Sequence, residues 1–277
     1  MSKEISLVYM VAGMSSRFGW KIKQFSKVWT YNTTLIEYSL KQALPAGFSK
    51  IIFIVGKMTQ LPFKEMFWDK YKWIPVEYAL QTFDETTRDR PRWTVDALCS
   101  AKNNIEWPFV VCNWDDIYWA RSFKILYNHL EKSETSATLW YVLGNVIPDK
   151  WSTNRWIFKV DTDNNVTDIK EVIWIEKNKL SEIWLKSEDL CSMNIFWLSK
   201  SALEWLYTIL NTFKTNNIWD RKIECYLPVE ISNLIKEEWL KMKLYPTPDT
   251  RFWVTNPEDE EIVRNQIQEY ENRLLNR

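Results

Sequence analysis

The sequence predicts an α/β fold: a doubly wound, mostly parallel sheet with a mixed insertion in its second half. Three observations predict it. Unbroken apolar runs recur at residues 5–11, 50–55 and 109–112, as expected of strands buried on both faces. Segments with helical start and stop residues lie between them. Beyond residue 150 the pattern changes to strands that flank a turn-forming Asp161-Thr-Asp-Asn-Asn165, the signature of a hairpin.

The elements follow in order. Residues 5–11 form the first buried strand. Thr34-Leu-Ile-Glu37 is a capping box that opens a helix to about residue 44, and Gly47 ends the unit. Strands are expected at 50–55, 74–79, 109–112 and 137–143, with helices at 62–67, 94–103 and 122–132. In the second half the hairpin pairs 156–160 with 166–169. A strand at 192–198, helices at 201–213 and 227–235 and a strand at 241–245 follow. Asn256-Pro257-Glu-Asp259 opens a last helix, with Asn as N-cap, Pro at the first position and acids in the first turn. The expected organisation is one domain over residues 1–277: a first half to about 135, a second to about 255, and a terminal helix.

Lys+Arg and Asp+Glu are both 36, so the formal charge is zero, which argues against a nucleic-acid or anionic-membrane partner. Cys99, Cys112, Cys191 and Cys225 have no metal-type spacing and only His129 to join them; they read as reduced thiols of a cytoplasmic protein. No leader precedes the first strand, and no apolar run reaches membrane-spanning length.

Glycine and tryptophan counts are abnormal. There are 5 Gly and 18 Trp, whereas a chain of this length would ordinarily carry about 19 glycines. Several tryptophans stand in turn-like settings that favour glycine: Trp73 in Lys72-Trp-Ile-Pro75, Trp114 in Asn113-Trp-Asp-Asp116, Trp156 after Arg155, Trp219 before Asp220, and Trp239 after Glu238. Our hypothesis is that most of these positions are glycine in the natural protein, through a UGA codon decoded there as glycine and rendered here as tryptophan.

Four stretches carry chemistry. After the first strand comes Ala12-Gly13-Met14-Ser15-Ser16-Arg17-Phe18-Gly19-Trp20, then Lys23-Gln24. Gly13 lets backbone approach a ligand, bare N–H groups can face phosphate oxygens, and Arg17 and Lys23 supply positive charge. A plain strand-to-helix connection is the alternative. The strand at 109–112 ends in Asp115 and Asp116, and paired carboxylates at the carboxyl end of a buried strand suit Mg²⁺. Arg90-Pro-Arg-Trp93-Thr94-Val95-Asp96-Ala97 opens a helix, and Gln81 follows the third strand, placed either to hydrogen-bond a base edge or to stand as a solvated polar loop residue. Cys191-Ser-Met-Asn194 and Arg251-Phe-Trp-Val-Thr255 lie toward the end.

These residues resemble nucleotidyltransferases of the bacterial NDP-sugar pyrophosphorylase-like branch, over residues 5 to about 264. The family signature is Ala-Ala-Gly-x-x-Ser-Arg-Phe-Gly-Gly with a following Lys-Gln pair. Trp20 departs from it, and glycine would restore it. Trp114 and Trp119 fall on small or glycine positions of Asn-Ala/Gly-Asp-Asp-x-Tyr-Gly, and Trp93 falls on the first glycine of Gly-Thr-Gly-x-Ala. The resemblance implies a Rossmann-like nucleotidyltransferase fold with a mixed acceptor-binding insertion. It implies nucleotide binding by Ala12 to Ser16, Gln81, Trp93 and Thr94, with Arg17 and Lys23 catalytic. Asp115 would hold Mg²⁺, with Asp249 as a second ligand. Lys170, Glu171 and Asn194 would face the acceptor, although Lys170-Glu171 also reads as a solvated strand end.

The implied reaction joins an NTP to a phosphorylated acceptor, first of all a sugar 1-phosphate, releasing pyrophosphate. Cytidylyl or guanylyl transfer to a polyol phosphate or cofactor precursor, a nucleotide-sugar-dependent glycosyltransferase, and a non-catalytic nucleotide-binding regulator are the alternatives. His129, in a predicted helix, reads as structural.

Overall fold

The computed structural model describes residues 4–13, 22–29, 32–105, 108–149, 151–247, 252–253 and 259–275. β1 (Ser6–Met10) leads to a 3-10 turn (Lys23–Phe25), α1 (Leu35–Ala43) and a second 3-10 turn (Leu44–Ala46). Next come β2 (Lys50–Val55), α2 (Gln60–Phe67), β3 (Lys70–Tyr71), β4 (Ile74–Leu80) and α3 (Trp93–Ser100). They are followed by β5 (Phe109–Asn113), β6 (Asp116–Ile117) and α4 (Ala120–Lys132). The second half holds β7 (Ser136–Val142), β8 (Thr153–Val160), β9 (Val166–Ile175), β10 (Leu190–Ser192) and β11 (Ile195–Leu198). It ends with α5 (Lys200–Asn216), α6 (Leu227–Lys236), β12 (Met242–Pro246), β13 (Phe252–Trp253) and α7 (Asp259–Leu275).

Eleven described strands form one sheet, in the order β3-β4-β2-β1-β5-β11-β7-β10-β8-β9, with β12 beside β7. β4, β2, β1 and β5 are mutually parallel. β11 then runs antiparallel to both β5 and β7, and β8 and β9 form the expected hairpin. The sheet is wound on both faces, as period-two alternation along β1 makes plain. Leu7 and Tyr9 pack with Ile51 and Phe53 beneath α1, α2 and α4. Val8 and Met10 pack with Ile52 and Ile54 on the opposite face, beneath α3, α5 and α6.

Local signals work where expected. The Thr34 side chain accepts from Glu37 N, while the Glu37 carboxylate accepts from Thr34 N at 2.9 Å, a complete capping box. Gly47 turns the chain at φ 105°. In the hairpin, Asp161 Oδ1 accepts from Asp163 N and Asn165 N, and Asn164 takes the left-handed conformation. One expectation fails: residues 192–198 are not a single strand. Asn194 sits at φ 55° and breaks the run into β10 and β11. Its N–H is held by Ser192 Oγ at 3.0 Å, and Tyr118 donates to Met193 O at 2.5 Å. Asn is among the few residues that tolerate this geometry. The expected Asn256 N-cap lies outside the described residues.

The tryptophans divide into two groups. Trp68, Trp93, Trp174 and Trp184 have φ between 49° and 63°, the left-handed region where glycine alone carries no Cβ penalty. Trp184 is 94% exposed and Trp219 93%. Others are packed: Trp197 is fully buried against His129, and Trp119 stacks on Tyr270 with centroids 3.8 Å apart. Trp184→Gly is therefore expected to stabilise the fold by about 0.5–1 kcal/mol, and Trp197→Ala to cost about 3–5 kcal/mol. Urea midpoints measure both, and a loss of stability in Trp184→Gly would remove the strain argument there.

Candidate active site

The parallel strands β4, β2, β1 and β5 deliver their carboxyl ends to one edge of the sheet, where open α/β sheets bind ligands. Gln81, Gly56, Ala12-Gly13 and Trp114-Asp115 follow these strands directly. The loops after β1 and β2 approach closely: a Cβ on Gly56 would stand 2.9 Å from Ala12 O, so any other residue there would push the first loop away.

Lys23 is placed from both sides. The side chain of its neighbour Gln24, itself buried, donates to Val11 O at 2.9 Å and ties the 3-10 turn to the end of β1. Phe25 packs on Phe63 of α2, and Ser26 O accepts from Leu35 N at the start of α1. The parallel register of Met10 opposite Asn113 brings the chain after β5 level with this turn. As a result the Lys23 ammonium lies 3.5 Å from Asp115 Oδ2. The Lys23 side chain is largely buried, whereas the Asp115 carboxylate is 38% exposed and open to a ligand. Asp116 differs: it is buried, and its backbone pairs with Trp253 in the β6–β13 ribbon. Of the two acids, geometry favours Asp115 as the one that faces the cleft.

Trp114 intrudes on this arrangement. Its indole nitrogen is 3.8 Å from where a Cβ on Gly13 would be, and Lys23 Nζ lies 4.9 Å from its ring centroid. The ring thus fills space between the end of the first loop and its lysine.

At the far side, Gln81 is buried and donates from Nε2 to Trp93 O at 3.3 Å and to Asp96 Oδ2 at 3.1 Å. Trp93 begins α3 with a left-handed backbone and a half-exposed indole. The Thr94 hydroxyl oxygen accepts from Leu227 N at 2.8 Å and joins the start of α3 to the start of α6. Arg88, buried, donates to the carbonyls of Arg90, Asp220 and Ile223 and braces the loop before α3 against the segment before α6.

Across β5, the register of Ile195 opposite Cys112 carries Asn194 to the level of Asn113, two residues before Asp115. Its Oδ1 is buried without a hydrogen-bond partner among the described residues, which leaves an acceptor for a ligand. Lys170 and Glu171 are exposed in the middle of β9, opposite Ile157 and Trp156, and make no hydrogen bond or ion pair with Lys23, Asp115 or Gln81. Met14, Ser15, Ser16, Arg17 and Asp249 lie outside the described residues. Among the described residues, no three His, Cys, Asp or Glu side chains gather as a metal cluster.

Sequence reading missed Asp96, Lys214, Tyr118 and Ser192 as parts of this edge. Asp96, Tyr118 and Ser192 stood inside quoted motifs, but nothing in those motifs gave their partners. Lys214 had no local signal, because its partner Asp96 is distant in the chain.

The family profile described as Nucleotidyl transferase matches residues 21–171, more than half of the chain. The chain belongs to the nucleotidyl transferase family. As a family member it is a nucleotidyltransferase, an enzyme. No curated protein matches it by sequence. Solved structures share its fold at low identity. A Bacillus anthracis protein described as a glucose-1-phosphate thymidylyltransferase, in complex with a sucrose, superposes with TM-score 0.69 at 11% identity, over 95% of this chain and 94% of that one. A UDP-glucose pyrophosphorylase complexed with UDP-glucose gives 0.67 at 15%, over 96% and 99%. A UTP-bound UGPase from Acinetobacter baumannii gives 0.66 at 14%, over 98% and 99%.

His129 stands apart from this edge. Its Nε2 donates to Thr135 O at 2.7 Å, and Nδ1 meets the Tyr245 hydroxyl at 2.8 Å. Burial lowers its pKa below the ordinary value of 6.5. The unfolded chain therefore takes up this proton first, and the stability held at neutral pH declines as pH falls through 6.5. His129 is the sole histidine, so its imidazole resonances titrate alone in the NMR spectrum. The expected midpoint is below 6.5, and one at or above 6.5 would contradict its burial as a neutral ring.

Proposed function

We propose that this nucleotidyltransferase joins an NTP to a sugar 1-phosphate, giving an NDP-sugar and pyrophosphate with Mg²⁺. The observation that carries the reading is the Lys23–Asp115 pair at the carboxyl edge of β1 and β5, in a chain of the nucleotidyl transferase family. An oxygen of the acceptor phosphate attacks the α-phosphorus of the NTP. One P–O bond forms as the bond to the bridging α,β oxygen breaks, and pyrophosphate leaves with that electron pair. No covalent enzyme intermediate is needed, so catalysis is positioning plus charge stabilisation.

Lys23, held by the Gln24–Val11 bond, offers its ammonium to phosphate oxygens as negative charge builds on them. Asp115 is a hard, partly exposed carboxylate, and one such ligand plus phosphate oxygens suits Mg²⁺, which takes few protein ligands. Bound there, the ion would neutralise and orient the phosphates. Arg17 and the backbone of residues 12–16 are proposed to wrap the triphosphate, with Asp249 as a second metal ligand. Asn194, with its unpartnered oxygen and its place level with Asn113, is proposed to receive a hydroxyl of the acceptor, and Lys170 and Glu171 to approach it from β9. Support for the acceptor class comes from the solved structures of similar fold, described as a glucose-1-phosphate thymidylyltransferase and a UDP-glucose pyrophosphorylase, together with the acceptor-side motifs.

The four cysteines are free and buried, and no helix among the described residues is long and apolar enough to cross a membrane. Both facts support our reading of a reducing, cytoplasmic setting. We also propose that the natural chain carries glycine at most tryptophan positions, 20, 93 and 114 among them. Left-handed tryptophans, the indole of Trp114 in the cleft and the scarcity of glycine support this. With tryptophan in place, the half-exposed Trp93 indole beside Gln81 favours a second reading, a nucleotide binder that does not turn over.

The test is pyrophosphate release across a panel of NTPs and sugar phosphates, in the chain as written and in a form with glycine at 20, 93 and 114. Turnover is expected in the glycine form. Lys23→Ala should lower kcat by about 10²–10³-fold with an unchanged melting temperature. Undiminished turnover in that variant would remove Lys23 from the mechanism. Peptide masses of the natural protein decide the glycine proposal, since tryptophan masses at 93 and 114 would refute it.

A further inference from the structure

The pairing of Gln81 with Asp96 has a consequence for base selection. It rests on the reading above, in which Gln81 faces the nucleobase. Gln81 is fixed at its backbone, where its N–H donates to Val55 O at 2.8 Å. Its carboxamide nitrogen faces two groups, the carbonyl of Trp93 and the carboxylate of Asp96, and both can only accept. The amide orientation is therefore dictated by chemistry: the reverse would set its oxygen against two other oxygens in a buried place. Asp96 cannot turn away. It is buried, and its other oxygen is held by Lys214 Nζ of α5 at 2.7 Å. Both protons of the Gln81 amide are thus engaged inside the protein, which leaves Oε1, an acceptor, as the group offered to a ligand.

We infer that Asp96, anchored by Lys214, is a positioning residue that makes Gln81 a pure acceptor and so selects nucleobases whose pairing edge presents a ring N–H. Uracil, thymine and guanine carry one. Adenine and cytosine present an unprotonated ring nitrogen at the corresponding place, and it would oppose Oε1. A free glutamine could turn its amide to suit either kind of base. The Asp96–Lys214 pair removes that choice.

The experiment is nucleotide binding by calorimetry with ATP, CTP, GTP, UTP and dTTP, using the full chain and its Trp93→Gly form, with turnover measured in parallel. The unaltered site is expected to bind one of UTP, dTTP or GTP at least about tenfold more tightly than ATP and CTP. Asp96→Asn frees the amide to turn, so that preference should fall about tenfold, with KM for the favoured NTP rising and kcat little changed. The exchange variant Gln81→Glu/Asp96→Asn keeps the total charge and again leaves one oxygen facing the ligand, because the amide then carried by α3 can donate to the carboxylate then carried at the end of β4. It should restore the preference. Lys214→Met, a change at a partly exposed side chain, should shift selectivity in the same direction and carries the test if Asp96→Asn does not fold. Tightest binding of ATP or CTP, an equal loss for all five nucleotides in the variants, or no restoration in the exchange variant would each overturn the inference. Selective binding without pyrophosphate release would instead defeat the proposed reaction and leave the inference standing, whereas absence of NTP binding defeats both.

Discussion

The site depends on one constraint of the sheet: β1 lies between β2 and β5, parallel to both. Lys23 and Asp115 are 92 residues apart and meet at 3.5 Å because Met10 stands opposite Asn113. Parallel neighbours end at the same edge, so the loops after them converge. The same rule brings Gly56 against Ala12 and sets Gln81 on that edge. A slip of one residue between β1 and β5 would turn every side chain of one strand to the wrong face, and the two packed cores forbid it. The apolar alternation that stabilises the sheet thereby also holds the lysine near the carboxylate.

A second layer of constraint is backbone conformation. Asn194 in the left-handed region interrupts what would otherwise be a continuous strand and stands level with Asn113 at the end of β5. Asparagine bears that geometry at modest cost, and Ser192 and Tyr118 hold it in place. Tryptophan has no such tolerance at positions 68, 93, 174 and 184. A bulky side chain in that region is a genuine outlier, and three of these four residues are largely exposed, with little packing to compensate: Trp68, Trp174 and Trp184. The abundance of tryptophan that puts bulky rings at left-handed positions also puts the buried Trp114 ring against Lys23, so one compositional anomaly touches the turns and the candidate site together.

A third layer is the polar bracing at the carboxyl end of β4. Gln81, Asp96 and Lys214 come from the end of β4, from α3 and from α5, and Arg88 ties the loop before α3 to the segment before α6. These bonds are buried or half-buried, where an unmatched polar group is costly, so they hold their partners in one arrangement. Among the described residues, Lys170 and Glu171 have no equivalent bracing and stand exposed on β9.

The sequence by itself determined the strands of the parallel block, the Thr34–Glu37 capping box and the hairpin at 161–165, because each is written in residues close together: apolar runs, caps and turn formers. It also placed Asp115 and Gln81 at strand ends, from where the apolar runs stop. The resemblance already favoured Asp115 over Asp116, and the tertiary structure adds the physical difference between them, the β6–β13 pairing that buries Asp116. Only the tertiary structure joined Asp96 to Gln81 and Lys214, and split the expected strand at Asn194. Those outcomes rest on contacts between residues far apart in the chain. Periodicity and local propensity carry no record of them, because which elements become neighbours is decided when the two faces of the sheet are packed.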